Sequence, residues 1–303
     1  MIIILHENKE WIQPFEDALK SINADFEFWY IPELDIDFNK APQDAIYYNR
    51  MSASSHTRGH RYDPEITIGI LEWLKRHNKT IINGPRALDL EISKLRQYQE
   101  LEKFNIRTPK TYASIKTESL LANANKLGFP LISKHNRAGK GLGVYKFNNY
   151  QELNDFYNSP SFESSVDGIN LIQSYIDAPK PFITRMEFIG GKFFYAVKVD
   201  TSEGFELCPA DNCEINTNCP TSEMQKFEII NNFDMPNIKN YEDFLSANDI
   251  SISGIEFILD KEGNAWTYDV NVNTNYNSSA ELKAGKFAYK EIATYLSALS
   301  KKL

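Results

Sequence analysis

The tightest constraint on this chain is the stretch from Gly254 to Asn273. Two runs of alternating residues, Gly-Ile-Glu-Phe-Ile-Leu-Asp and Ala-Trp-Thr-Tyr-Asp-Val-Asn-Val-Asn, flank Lys261-Glu262-Gly263-Asn264. This is the pattern of a β-hairpin with a short polar loop. Successive strand residues point to opposite faces. Ile255, Phe257 and Leu259 therefore share a face with Trp266, Tyr268, Val270 and Val272, and Glu256, Ile258 and Asp260 share the other with Thr267, Asp269 and Asn271. Pairing Asp260 with Ala265 sets Ile258 against Thr267 and Glu256 against Asp269. Two carboxylates directly opposite each other repel. A hard cation between them reverses the sign, and an all-oxygen set of this kind suits Mg²⁺, which also takes phosphate oxygens. Read alone, the stretch also fits an ordinary amphipathic hairpin with a solvated acidic face.

The rest of the chain narrows the choice. It carries 33 basic and 41 acidic residues, a net charge of −8, which argues against a general nucleic-acid binder. No run approaches the roughly 20 apolar residues of a membrane helix. The N-terminal Met-Ile-Ile-Ile-Leu-His lacks the basic and apolar regions of a signal peptide. The odd set Cys208, Cys213 and Cys219 points to a reducing compartment, and its spacing is not that of a zinc site. The expectation is a cytoplasmic protein without membrane partners.

Through residue 85, strand and helix signals alternate. Strands are predicted at Ile2 to Leu5, Phe26 to Ile31, Ala45 to Tyr48 and Thr80 to Ile82, and helices from Lys9 to Ser21 and from an Asp63 cap followed by Pro64. This predicts a small open parallel sheet. After its third strand comes a cationic loop, Arg50 to Arg61, with three Arg and two His. Ligands of such sheets gather at strand carboxyl ends, so the loop is a candidate site for an anionic or carboxylate ligand. A solvated basic loop is the alternative.

Further on, helices are predicted over Ser93 to Phe104 and Thr117 to Leu127. The strand Leu131 to Lys134 leads into His-Asn-Arg-Ala-Gly-Lys-Gly-Leu-Gly, which ends at Gly143. Alternate glycines among cations suit a loop that folds over phosphates, though neither Walker nor dinucleotide spacing is present. Strands are predicted at Val144 to Phe147, Ile169 to Asp177, Phe182 to Ile189 and Lys192 to Val199, the last two joined by Gly190-Gly191. Arg185 and Glu187 share a face. A helix with a stripe at Ala288, Ile292, Tyr295, Leu296 and Leu299 closes the chain.

In order, these features are a lysine opening a helix, a strand lysine before a glycine loop, a Gln-x-Tyr-Ile strand, a hairpin arginine and a Glu…Asp-x-Asn hairpin. The constellation resembles the ATP-grasp superfamily, in particular carboxylate–amine ligases of the ribosomal-protein glutamate ligase and glutathione synthetase type. The resemblance runs from about Lys94 to Asn275. It implies an α/β (α+β) ATP-grasp fold, with an N-terminal substrate unit at 1–88, a central lobe at 89–175 and a C-terminal lobe at 176–303.

It further implies ATP and Mg²⁺, or Mn²⁺, as cofactors. Lys94 and Lys134 would reach the nucleotide, and Gly139, Lys140, Gly141, Leu142 and Gly143 would cover the phosphates. Gln173, Tyr175 and Ile176 would hold adenine, and Asp177 would contact the ribose. Arg185 and Lys134 would stabilise the transferred phosphate, while Glu256, Asp269 and Asn271 would be the metal ligands. Arg50, Ser54, His56, Arg58 and Asn273 are the expected substrate contacts. The implied reaction is ADP-forming amide synthesis through an acyl phosphate, on small-molecule or peptide carboxylates and amines. The chain departs from the pattern at Ile183 and Ser174, where relatives carry acids, at Asp269, where Glu is usual, and at Val272-Asn273-Thr274-Asn275, where Pro-Gly is common. A degenerate ATP sensor and a non-enzymatic interaction protein are the competing readings.

Overall fold

The computed structural model describes residues 1–139, 141–202 and 226–303. Lys140 and the three cysteines lie outside the described residues.

Strands β1 (Ile2–His6), β2 (Phe26–Tyr30), β3 (Ile46–Arg50) and β4 (Thr80–Ile82) form an all-parallel sheet in the order β2-β1-β3-β4. β1 is Ile-Ile-Ile-Leu-His and buried throughout, as a central strand with both faces covered must be. Helix α1 (Gln13–Ser21) packs one face through Phe15 and Leu19. Helices α2 (Asp63–Arg76) and α3 (Pro85–Glu91) pack the other. The α2 cap falls one residue earlier than the sequence suggests. Tyr62 occupies the cap without a side-chain bond, and Asp63 is already helical, a first-turn acid beside Pro64.

Helix α4 (Lys94–Lys103), capped by Ser93, leads to a second, antiparallel sheet. Its strands are β5 (Thr111–Ser114), β6 (Leu131–His135), β7 (Tyr145–Phe147) and β8 (Asn170–Ser174), in the order β5-β8-β6-β7. Helices α5 (Thr117–Leu127) and α6 (Tyr150–Tyr157) cover it with a core of its own around Leu120, Leu131, Phe147 and Ile172.

The third sheet is antiparallel: β9 (Phe182–Ile189), β10 (Lys192–Asp200), β11 (Phe227–Ile229), β12 (Ile252–Leu259) and β13 (Ala265–Asn271), in the order β11-β10-β9-β12-β13. Gly190 and Gly191 both take positive φ, which the tight turn between β9 and β10 requires. One face packs on α4 and α7 (Ile238–Ala247) through Met186, Phe188, Ile255, Phe257 and Val270. The other meets the first sheet, α1 and α9 (Ala288–Ser300) through Ile183, Ile189, Val197 and Ile252. Leu296 of α9 is fully buried there, and truncating such a side chain costs about 2–5 kcal/mol.

A polar seam also ties the first sheet to the third. Asn83, at φ 57°, accepts from the amides of Ser251 and Ile252 and donates to the carbonyls of Ile252 and Val272. Among the described residues, no helix is long and apolar enough to cross a membrane.

The β12–β13 register corrects the sequence reading. Leu259 pairs with Ala265, Ile258 with Trp266 and Phe257 with Thr267, one step away from the expected pairs. A bulge then inserts Tyr268, and the ladder resumes with Glu256 opposite Asp269. An extra residue on one strand turns the side chains on either side of it. Thr267 therefore faces the α7 core, where it shares a 2.8 Å hydrogen bond with Tyr241, and Tyr268 joins the acidic face.

Candidate active site

The second and third sheets enclose a cavity of about 460 Å³ that extends to the carboxyl ends of the first sheet's strands. β6 contributes Ile132 and Lys134, β8 contributes Gln173 and Ser174, and β9 contributes Ile183 and Arg185. From the hairpin come Glu256, Ile258, Tyr268, Asp269 and Asn271. Alternation explains the spacing of two between Ile132 and Lys134, Ile183 and Arg185, and Glu256 and Ile258.

The acidic pair is not solvated. Glu256 is 9% exposed. Lys94 sets its ammonium 3.1 Å from Asp269 Oδ1 and 3.0 Å from the carbonyl of Ala138. Arg185 Nη1 lies 3.7 Å from Glu256 Oε1. Burial raises the Glu256 carboxyl, with Arg185 opposing and Asp269 reinforcing the shift. Asn271 donates from Nδ2 to Gly254 O at 3.3 Å and Glu256 Oε1 at 3.4 Å, leaving Oδ1 for other duty. Two carboxylates and an amide oxygen, with a lysine ammonium already drawn to one of them, fit a hard divalent cation.

Lys134 is buried between the rings of Tyr98 and Tyr268, 5.5 Å from each centroid, and donates to Tyr268 O at 3.4 Å. Burial, with Lys94 adding repulsion, lowers its pKa to about 7. Gln173 donates to Thr111 Oγ1 at 2.8 Å and walls the same end of the cavity with Tyr175 and Ile176. Asp177 is outside the lining, paired with Lys261 at the surface. In the glycine loop, Gly139, Gly141 and Leu142 line the cavity. Gly143, at φ +71°, does not; it packs so tightly on the His135 ring that a Cβ would lie 2.7 Å from it.

The expected substrate contacts divide. Ser54 and Asn273 line the cavity; Arg50, His56 and Arg58 do not. Arg50 is 3% exposed and binds Asn273 Oδ1, Thr274 O and Asn275 Oδ1. Arg58 holds the buried Glu7 carboxylate at 2.5 and 3.1 Å and stacks on Trp11, while His56 faces its own loop at Ala53 O.

Sequence reasoning passes over Tyr268, Trp11, Glu91, Ile132, Ile258 and Asn275, all of which line the cavity. Ile132, Ile258 and Asn275 stand two residues from Lys134, Glu256 and Asn273, so the period of two could have found them. Glu91 holds the amides of Ala53 and Val272, and burial raises its pKa to about 7 against those two bonds. Neither it nor Trp11 has a signal in the sequence.

No family model matches the chain, and no curated protein sequence does. Solved structures match it along nearly its whole length. The ATP-grasp ligase PsnB complexed with minimal precursor superposes with a TM-score of 0.68 at 12% identity, covering 98% of both chains. The RimK domain protein ATP-grasp from Sphaerobacter thermophilus gives 0.66 at 14%, over 97% of this chain and 98% of that one. The D-cycloserine synthetase DcsG gives 0.64 at 11%, over 99% of each. The fold is the ATP-grasp fold.

Proposed function

We propose that the chain is an ATP- and Mg²⁺-dependent carboxylate–amine ligase that releases ADP and acts on a peptide or amino-acid carboxylate. The observation that carries this reading is the convergence of Lys94, Lys134 and Arg185 on the Glu256–Asp269 pair within one cavity between two sheets. Three cations facing two acids and an amide would together match a metal–triphosphate complex better than either charge set alone. The names of similar structures point the same way: PsnB is described with minimal precursor, Mg and ADP, and the macrocyclase MdnC of Microcystis aeruginosa with precursor peptide MdnA.

Glu256, Asp269 and Asn271 would hold the metal, which would supply positive charge to offset that of the phosphates. Lys134 and Lys94 orient the triphosphate. Ile132, Tyr175, Ile176 and Ile258 give the base an apolar slot. A substrate carboxylate oxygen attacks the γ-phosphorus, ADP leaves, and Arg185 faces the charge that builds on the transferred group. The amine then attacks the acyl carbon, expelling phosphate and losing a proton to form the amide. The chain's contribution is positioning and charge balance, so no side-chain nucleophile is needed. Ser54 and Asn273 are the proposed substrate contacts, and Arg50 supports Asn273 from behind.

The test is a screen of acid and amine pairs, peptides included, for ADP release, with Glu256→Gln as control. Mg²⁺-dependent ADP release that requires both partners is the expected result. ATP binding with no pair-dependent turnover would replace the ligase with a nucleotide sensor. The absence of any thermal shift with Mg-ATP would point to an interaction protein.

A further inference from the structure

Arg185 brings a guanidinium that is 6% exposed to the cavity wall. Its Nε is 2.7 Å from Glu187 Oε1, but the approach is poorly directed, so neither Nε nor Nη2 makes a hydrogen bond among the described residues. Glu187, 2% exposed, likewise leaves Oε2 unpartnered. The head is held by the charges of Glu187 and Glu256 more than by directed hydrogen bonds, so where it rests also depends on the space left beside it. That space lies over Gly254, which pairs with Glu187 across β9 and β12, one residue pair after Met186–Ile255 and two after Arg185–Glu256. A Cβ on Gly254 would lie 2.8 Å from Arg185 Cζ and closer still to Nε and Nη2. All three atoms nearest to that Cβ belong to the guanidinium. Gly254 does not have a positive φ, so the backbone would accept alanine. The glycine is there for space.

We infer that Gly254 is a positioning residue: the arginine head occupies the volume its side chain would fill, and Glu187 borders that head on the β9 side. This rests on the reading of Arg185 as the group that faces the transferred phosphate. Gly254 also accepts from Asn271 Nδ2, so the same backbone unit touches the proposed metal arm and the arginine. Alanine there displaces the flexible end of Arg185 while leaving the ladder intact.

The experiment compares wild type, Gly254→Ala, Glu187→Gln, Arg185→Lys and the double variant Gly254→Ala/Arg185→Lys. Three readouts are taken: the thermal shift with Mg-ATP, the Arg185 Nε–H resonance in ¹⁵N-arginine-labelled protein, identified by its loss in Arg185→Lys, and kcat and KM for an active acid–amine pair. Gly254→Ala should fold, keep its apparent ATP affinity within about twofold and move the Arg185 resonance, while kcat falls about thirty- to hundredfold, as a misplacement near 1 Å does. Arg185→Lys added to Gly254→Ala should cost less than about threefold more, far less than in the wild type, because the two changes act on one contact. An unmoved resonance with near-wild-type kcat, or two effects that simply multiply, would overturn the inference. If Gly254→Ala does not fold alone, Gly254→Ala/Arg185→Lys, which removes the guanidinium that the Cβ would meet, should fold, and failure of that variant too overturns the inference. If no pair supports turnover the ligase reading fails, and the resonance still decides for or against Gly254.

Discussion

The loop from Arg50 to Arg61 and the β12–β13 hairpin both carry charge that, along the sequence, looks open to a ligand. In the fold they differ. Arg58 is matched by Glu7, Arg61 by Glu65, and Arg50 by two amide side chains and a carbonyl. The hairpin's acids are instead met by Lys94 and Arg185, themselves cavity groups, and Arg185 Nη2 has no hydrogen-bond partner among the described residues. A charged cluster whose counter-charges come from the scaffold stiffens that scaffold. One whose counter-charges line the same hollow is arranged for a third party.

Four outcomes would sharpen or break this contrast. The largest concerns the hairpin: Glu256→Gln or Asp269→Asn should lower ADP release about a hundred- to a thousandfold, the scale of losing a preorganised charge at a reacting centre. Turnover that survives both changes would make the acidic pair ordinary. Next comes the loop. Arg58→Ala should cost about 3 kcal/mol of stability in urea unfolding, because the buried Glu7 carboxylate keeps only His60 as a side-chain partner, and adding Glu7→Gln should recover part of it. A raised substrate KM with unchanged stability would restore the loop as a ligand site.

The third is pH dependence. Lys134, lowered to about 7, loses its proton as pH rises through neutrality, whereas a triphosphate favours the charged form. Calorimetric titration should show Mg-ATP binding weakening from pH 6 to pH 9, by at most about tenfold per unit. Lys134→Met should bind about ten- to a hundredfold more weakly at pH 6, and its profile should lose that slope. The smallest effect is expected at Asp177, whose partner is an exposed lysine. Asp177→Ala should alter nucleotide affinity by less than about fivefold. A larger loss would mark a ribose contact.

What could be read from the chain was local. The buried run Ile2 to Leu5, the β9 and β10 strands and the helix from Ala288 follow from short-range pattern, and the structure has them nearly where the pattern puts them. The acidic pair is instructive. A register counted from the loop puts Glu256 opposite Asp269, yet the ladder leaves the loop one step out and the bulge at Tyr268 restores it. A bulge has no spacing signature of its own, so Tyr268, and with it the cage around Lys134, was invisible. Arg58 and Glu7 are 51 positions apart, and they meet because the strands they follow, β3 and β1, lie side by side. Helices α3, α6 and α7 and α8 (Ser278–Ala284) are short and take their stability from contacts that a sequence window does not contain.

The Asn83 seam has a mechanical consequence. Four hydrogen bonds from one side chain, beside an apolar core shared by α1, α9 and two sheets, make the first and last parts of the chain a single wall of the cleft. The β5–β8 sheet keeps an apolar core of its own and is joined on by the short connections at 104–110 and 175–181. Whatever occupies the cavity therefore meets one wall that the seam holds together and, opposite it, a sheet tied down at the end of β6 by the Arg137–Glu65 pair and the Asn136 bonds to α4.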